Sequence, residues 1–228
     1  MANRCYNRLI KIKEILKTIK IIRNQRKVKK VKLMLNIYIT NLGKYNEGEL
    51  VGEWVELPKT SEELAVVYKR IGINAQYEEM FISDYETDVN SLEVGEYSNI
   101  DQLNTIAKLL TNCNNIEAVE AYLDYNGSMT LLEIANVIVQ ADEIEFYSYE
   151  FEGIQYCGND SNAEKYGRTM AELNGVTKYL KDKNLECYFD FEEYGNNDND
   201  VCLYDNGYLN VRSDIDGDFY TWEELKEM

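Results

Sequence analysis

The sequence contains no histidine. That excludes Ser-His-Asp and Cys-His nucleophile activation, a His-Glu-x-x-His zinc site and any imidazole general base. The five cysteines, Cys5, Cys113, Cys157, Cys187 and Cys202, include no Cys-x-x-Cys pair, and their number is odd. Neither a disulfide framework nor a zinc ribbon fits that spacing, and the cysteines read as reduced thiols, several of them in the core. Phosphate-binding glycine loops are missing too: there is no G-x-x-x-x-G-K-[ST] and no G-x-G-x-x-G, so nucleotide-dependent chemistry loses its simplest support. No apolar run approaches the ~18 residues that span a membrane. The most informative shortage is of positive charge. Residues 109–164 and residues 184–211 contain no Lys and no Arg.

What is present is negative charge, unevenly placed. The 228 residues carry 24 basic and 41 acidic side chains, a formal net charge of -17. Residues 1–33 hold 12 of the bases and a single acid, Glu14, for +11; residues 34–228 hold the other 12 bases and 40 acids, for -28. The body is not a disordered acidic tail, because its acids are interleaved with aromatics, among them most of the 19 tyrosines. A charge of -28 repels phosphates, disfavours nucleic acid as a ligand of the body and favours basic surfaces as partners. In residues 1–33, Leu9, Ile12, Leu16 and Ile19 have the spacing of a basic amphipathic helix. That segment is either a basic arm or upstream sequence ahead of a start at Met34.

From Met34 the chain reads as short strands and helices in α+β order. Strands are expected at 35–39, 50–57, 79–85 and 144–151, with Pro58, the only proline, ending the second. Residues 46–48 read as a turn. A hairpin is expected from 201–204 and 208–211 around Asp205-Asn206-Gly207, with Asn-Gly in a type I′ turn. Helix starts are marked by Thr60/Glu63, Ser98/Asp101, Thr130/Glu133, Ser161/Glu164 and Thr221/Glu224, which have capping-box spacing. A further helix is expected through Ile116, Val119 and Leu123, and the Ser161 helix should stop near Gly175.

The candidate site consists of acids. Residues 109–164 carry Glu117, Glu120, Asp124, Glu133, Asp142, Glu143, Glu145, Glu150, Glu152, Asp160 and Glu164; residues 184–211 add Asp190, Glu192, Glu193, Asp198 and Asp200. Without local bases these carboxylates are expected to face solvent or a basic partner. Acids three or four apart on a helix sit about 5–6 Å apart at Cβ, and acids two apart on a strand about 6.5–7 Å along one face. A DNA duplex carries one phosphate per ~1.7 Å of axis, so regularly spaced carboxylates are able to imitate a phosphate ladder. Metal binding is a poorer fit: with Asp214 as the first position of an EF-hand loop, Phe219 stands where Gly is needed and Leu225 where Glu is needed.

The run Tyr38-Ile39-Thr40-Asn41-Leu42-Gly43-Lys44-Tyr45-Asn46-Glu47-Gly48-Glu49-Leu50-Val51-Gly52-Glu53-Trp54 resembles the opening of the ArdA antirestriction proteins. Ile82-Ser83-Asp84-Tyr85-Glu86 is similar to that family's acidic-aromatic third strand. Tyr97-Ser98-Asn99-Ile100-Asp101-Gln102-Leu103-Asn104 resembles its Ser-Ile-x-x-Leu-Asn helix start. Tyr188-Phe189-Asp190-Phe191-Glu192-Glu193-Tyr194-Gly195 is similar to its Tyr-Gly segment near the C-terminus, although Asn196-Asn197 follows where the family has Arg-Asp.

The resemblance implies an elongated, dimeric mimic of DNA built from three small α+β domains, without cofactor or catalysis, that occupies the DNA-binding groove of type I restriction-modification enzymes and protects incoming mobile DNA. On that pattern the domains are 34–95, a central acidic and mostly helical 96–150, and 151–228 with dimer contacts, preceded by the 1–33 extension. A +11 arm is hard to reconcile with a DNA mimic, which favours Met34 as the start. The expected location is the cytoplasm. The resemblance makes Phe189-Asp190-Phe191, which alternates like a strand, part of a helical segment. Trp54 reads as a core anchor, and Gly43, Gly48 and Gly52 as turn formers. Two other classes compete: an acidic adaptor for an unrelated basic protein, and a carboxylate-dependent hydrolase, for which pairs such as Glu192/Glu193 are available.

Overall fold

The computed structural model describes residues 34–149, 154, 156–213 and 215–228. The expected basic helix of residues 1–33, Glu150, Phe151, Glu152 and Asp214 lie outside the described residues. Those described form an α+β fold with two antiparallel three-stranded sheets and nine α-helices.

The first sheet is built on β1 (Leu35–Asn41), flanked by β2 (Gly52–Leu57) and β3 (Met80–Thr87) in the order β2-β1-β3. Strand alternation sends Leu35, Ile37, Ile39, Val55, Leu57 and Ile82 to one buried face. The register then dictates the other face: Asn36 lies between Glu56 and Glu86, and Tyr38 between Trp54 and Asp84. Trp54 is therefore not a core anchor. It is 43% exposed, because Val55 and Leu57 already claim the core side of its strand.

The expected turn at 46–48 is preceded by a short helix, α1 (Leu42–Asn46), capped by Asn41. Asn41 is fully buried and works in two directions: its side-chain oxygen accepts from Lys44 N, and its amide donates to Ile71 O at 3.0 Å. Of the three glycines read as turn formers, only Gly48 takes a positive φ, 86°. Gly43 sits under the Tyr77 ring within α1, and Gly52 lies in β2 beneath the Tyr38 ring; a Cβ at either would overlap the ring.

Helix α2 (Ser61–Arg70) starts at the Thr60/Glu63 capping box and buries Leu64 and Val67 against the sheet. Then come α3 (Ile100–Asn112), α4 (Ile116–Asn126) and α5 (Leu131–Val139). Asn99, not Ser98, caps α3: its side chain accepts from Asp101 N and Gln102 N, while Ser98 accepts from Gly95 N. Thr130 and Glu133 form the expected capping box on α5. One hydrophobic cluster joins β1–β3 to α2–α5 and continues across residue 95.

The second sheet, in the order β4-β6-β5, consists of β4 (Phe146–Ser148), β5 (Val201–Leu203) and β6 (Gly207–Asn210). Its hairpin turns through Asp205-Asn206 with Tyr204 N donating to Gly207 O. The type I′ expectation fails, since none of these residues has a positive φ. Gly207 is needed for a different reason: a Cβ there would overlap the Tyr147 carbonyl oxygen.

Helix α6 (Asn162–Leu173) starts at Ser161 and ends before Gly175, whose φ is 72°. Next come α7 (Val176–Lys183), a 3-10 turn at Glu186–Tyr188 and α8 (Phe191–Asn196), capped by Asp190. The segment around Phe189-Asp190-Phe191 is thus helical, as the resemblance implies. The chain closes with α9 (Trp222–Glu227), whose Leu225 is fully buried in the main cluster. Buried Asn136 of α5 pins this tail by accepting from Tyr220 N and donating to Tyr220 O. The cysteines meet the expectation only in part: Cys113 and Cys202 are half-buried and pack against the main cluster, whereas Cys157 and Cys187 are exposed.

Candidate acidic functional surface

The candidate acids fall into three neighbourhoods. The first is arranged around α4. Glu117, Glu120 and Asp124 follow one another at helical spacing; Glu117 and Asp124 are exposed and Glu120 is half-buried. Glu120 accepts from Asn90 N at 2.8 Å, and burial, with Glu117 beside it, pushes its carboxyl above the ordinary value. The buried Asn115 side chain at the head of α4 donates to Ala141 O at 3.0 Å. That bond fixes the start of α4 against the loop carrying Asp142 and Glu143, both exposed. Exposed Glu145 follows, held by Asn210 Nδ2 and by Ser213 Oγ, which accepts from its backbone N–H. Midway along α4, Tyr204 donates to Ala121 O at 2.8 Å, and Asp124 is one of the charges that raise the tyrosine's pKa, after burial as the main cause. Glu117, Asp124, Asp142, Glu143 and Glu145 therefore stand on elements tied directly to one another.

The second neighbourhood surrounds α6 and α8. Here the expectation that acids in base-free stretches lack internal partners is corrected. Arg168, four residues beyond the first stretch, pairs with Glu164 and reaches Asp160 at 3.4 Å. The Asp160 side chain is 6% exposed and also accepts from Cys157 N. The Arg168 guanidinium lies 4.5 Å from the Phe191 ring centre. Glu192 accepts from Ser161 Oγ at 2.8 Å, Asp190 caps α8, and Glu193 is exposed. A concavity of about 930 Å³ opens beside them, lined by Glu164, Glu186, Asp190 and Glu192 together with Arg168 and Lys181.

The third neighbourhood is structural in character. Asp198 accepts from Tyr166 at 2.6 Å, and Asp200 pairs with Arg212 at 2.7 Å, another base just past the end of a base-free stretch. Tyr166 packs edge-on against Tyr208 at 4.7 Å, with Tyr147 and Tyr149 against the same ring. Burial and, next, Asp198 push the Tyr166 hydroxyl far above its ordinary value, so it stays protonated and keeps donating. Tyr147 and Tyr149 thus serve this aromatic cluster. Glu133, the remaining described candidate, is occupied as the capping carboxylate of α5.

Acid-counting over base-free stretches misses one further group. On the outer face of the β2-β1-β3 sheet, Glu56, Asp84 and Glu86 are exposed beside Trp54. Lys44, Lys59 and Arg70 lie near in sequence and mask the pattern. Strand alternation is the signal that exposes it.

The arrangement supplies surface carboxylates on rigid elements. Among the described residues no group of acids and thiols is placed to hold a metal ion, and no helix is long and apolar enough to cross a membrane. The family model of the antirestriction protein ArdA matches residues 37–210, from the middle of β1 to the end of β6. The chain belongs to the ArdA antirestriction family. No curated protein matches it. The ArdA match includes all three acid neighbourhoods and stops short of the tail that Asn136 pins. Within it, the Tyr194-Gly195 pair acquires a physical role: Gly195 of α8 meets α6 backbone to backbone, and a Cβ on it would overlap the Ala163 carbonyl oxygen.

Proposed function

We propose that this ArdA protein acts by imitating B-form DNA, competing for the DNA-binding groove of type I restriction-modification enzymes and so protecting mobile DNA as it enters the cytoplasm. It works as a homodimer and needs no cofactor. The observation that carries this reading is the tied set of exposed carboxylates, Glu117, Asp124, Asp142, Glu143 and Glu145, in a stretch of chain without Lys or Arg. Asp190, Glu192 and Glu193 extend the acidic surface near α6. Glu150 and Glu152 belong to the same proposal by sequence.

Physically, a groove lined with Lys and Arg gains by exchanging its DNA phosphates for fixed carboxylates. The contact is electrostatic, and its partner choice rests on sign and spacing more than on any single contact. Both partners release ordered counterions, so salt weakens it. Family membership supports the antirestriction role, and the exposure of these acids supports mimicry as its means. The test is displacement: the full chain, added to a type I enzyme bound to a labelled unmodified duplex at low salt, should release the duplex in proportion. Retention of the duplex against a large excess of protein contradicts the proposal and favours an adaptor for some other basic protein.

A further inference from the structure

We propose that the outer face of the β2-β1-β3 sheet docks an arginine-bearing surface of a partner protein, with the Trp54 indole as its platform. The inference deepens the reading above, in which the enzyme's DNA channel supplies the arginine, and it adds a contact that carboxylates alone do not make.

β1 places Asn36 and Tyr38 on this face, β2 adds Trp54 and Glu56, and β3 adds Asp84 and Glu86. Neighbouring strands are about 4.8 Å apart. Two cross-strand rows result, Glu56–Asn36–Glu86 and Trp54–Tyr38–Asp84. Trp54 is held in place: its ring meets Tyr38 edge-on at 5.4 Å and 70°, and the Tyr38 ring in turn lies over Gly52. A large indole is thereby braced on one side by a neighbouring ring and still 43% exposed. Pre-ordered aromatics of this kind are where interfaces concentrate binding energy, since little side-chain entropy remains to be lost.

Charge decides the occupant. The face carries three exposed carboxylates and no Lys or Arg among these six residues. A second copy of the chain would bring the same acids into opposition, and a nucleic acid would bring phosphates. A guanidinium satisfies both features: its plane stacks on the indole while its N–H groups reach the flanking carboxylates. An ammonium meets the charge and the ring face but lacks the planar stack and the fork of N–H groups. Arginine is therefore preferred over lysine.

The test has two arms. In the first, the ¹H–¹⁵N spectrum of the full chain is followed while triarginine or trilysine is added; the two tryptophan indole signals, Trp54 and Trp222, report separately. Triarginine should move the Trp54 signal at a concentration about three- to tenfold lower than trilysine of equal charge, and leave Trp222 in place. An unmoved Trp54 signal, or equal response to the two peptides, overturns the proposal.

In the second arm, Trp54→Ala should raise the amount of protein needed to displace DNA from a type I enzyme about three- to tenfold, and Trp54→Phe by less. Circular dichroism establishes that both variants are folded. Unchanged displacement by a folded Trp54→Ala variant overturns this proposal and leaves DNA mimicry standing. If the wild-type chain displaces no DNA, mimicry fails, and the peptide arm alone decides the sheet face. A Trp54→Ala variant that loses self-association in sedimentation shows a second copy to be the occupant, which also overturns the proposal.

Discussion

Arg168 Nε lies 3.4 Å from a carboxylate oxygen of Asp160, and the Asp160 side chain is nearly buried. This acid is turned inward to hold the loop before α6, where it also accepts from Cys157 N. Removing the Asp160 carboxylate leaves the Cys157 backbone N–H without its acceptor and Arg168 with Glu164 as its remaining carboxylate partner. Asp160→Ala should therefore cost about 2 kcal/mol of stability, read as a lower urea midpoint. DNA displacement by the folded variant should be unchanged. A stable variant that has lost displacement would make Asp160 part of the contact surface.

The exposed acids should behave in the opposite way. Asp142→Lys alone should leave stability intact and change displacement by no more than about threefold, as expected for one screened charge at a rim. Reversing Glu117, Asp124, Asp142, Glu143 and Glu145 together should abolish displacement. Complete loss from Asp142→Lys alone would point to a discrete site in place of a distributed surface.

Gly195→Ala tests the close crossing of α6 and α8. In an unconstrained helix this change stabilises by roughly 1 kcal/mol. Here the added Cβ would overlap the Ala163 carbonyl oxygen, so the helices must separate. The expected net result is a loss of about 1–3 kcal/mol in urea denaturation. A gain in stability would contradict the backbone contact.

The Thr130/Glu133 cap carries a pH signature. The Thr130 backbone N–H holds the Glu133 carboxyl below its ordinary value of 4.5. A lowered folded-state value means that the unfolded chain binds the proton more readily, so the carboxylate's stabilisation is present above 4.5 and lost as pH falls through the lowered value. Glu133→Ala should thus be less stable than wild type at about pH 7, with the gap closing in acid. A gap independent of pH would assign the effect to helix propensity or packing.

Much of the fold was legible locally. Capping boxes at Thr60, Thr130 and Thr221 and the alternation of Leu35, Ile37 and Ile39 are short-range signals, and the elements they mark are present. What escaped depends on partners distant in sequence. Trp54 reads as core by its size, and only pairing with β1 shows that Val55 and Leu57 take the inner side. Ser98 has capping spacing, yet Asn99 takes the role, since adjacent polar residues compete for the same N–H groups. Asn206-Gly207 carries a turn signal, but Gly207 is there to let the Tyr147 carbonyl approach. For the candidate surface, base-free stretches located the exposed acids around α4 and also gathered Asp160, Glu164 and Asp200, whose partners Arg168 and Arg212 begin just past each stretch. A charge count along the chain does not see across a helix turn or a hairpin.

In the proposed mechanism, carboxylates on this protein replace DNA phosphates in the enzyme's groove. Its most direct test is the competition constant of the full chain against a labelled duplex on a type I enzyme, measured across a salt series with the enzyme's affinity for DNA determined in parallel. Electrostatic replacement predicts that binding of the protein itself is tight at low salt and falls steeply and log-linearly as salt rises. Binding that stays constant across the series, or that leaves the duplex in place in a ternary complex, would contradict it.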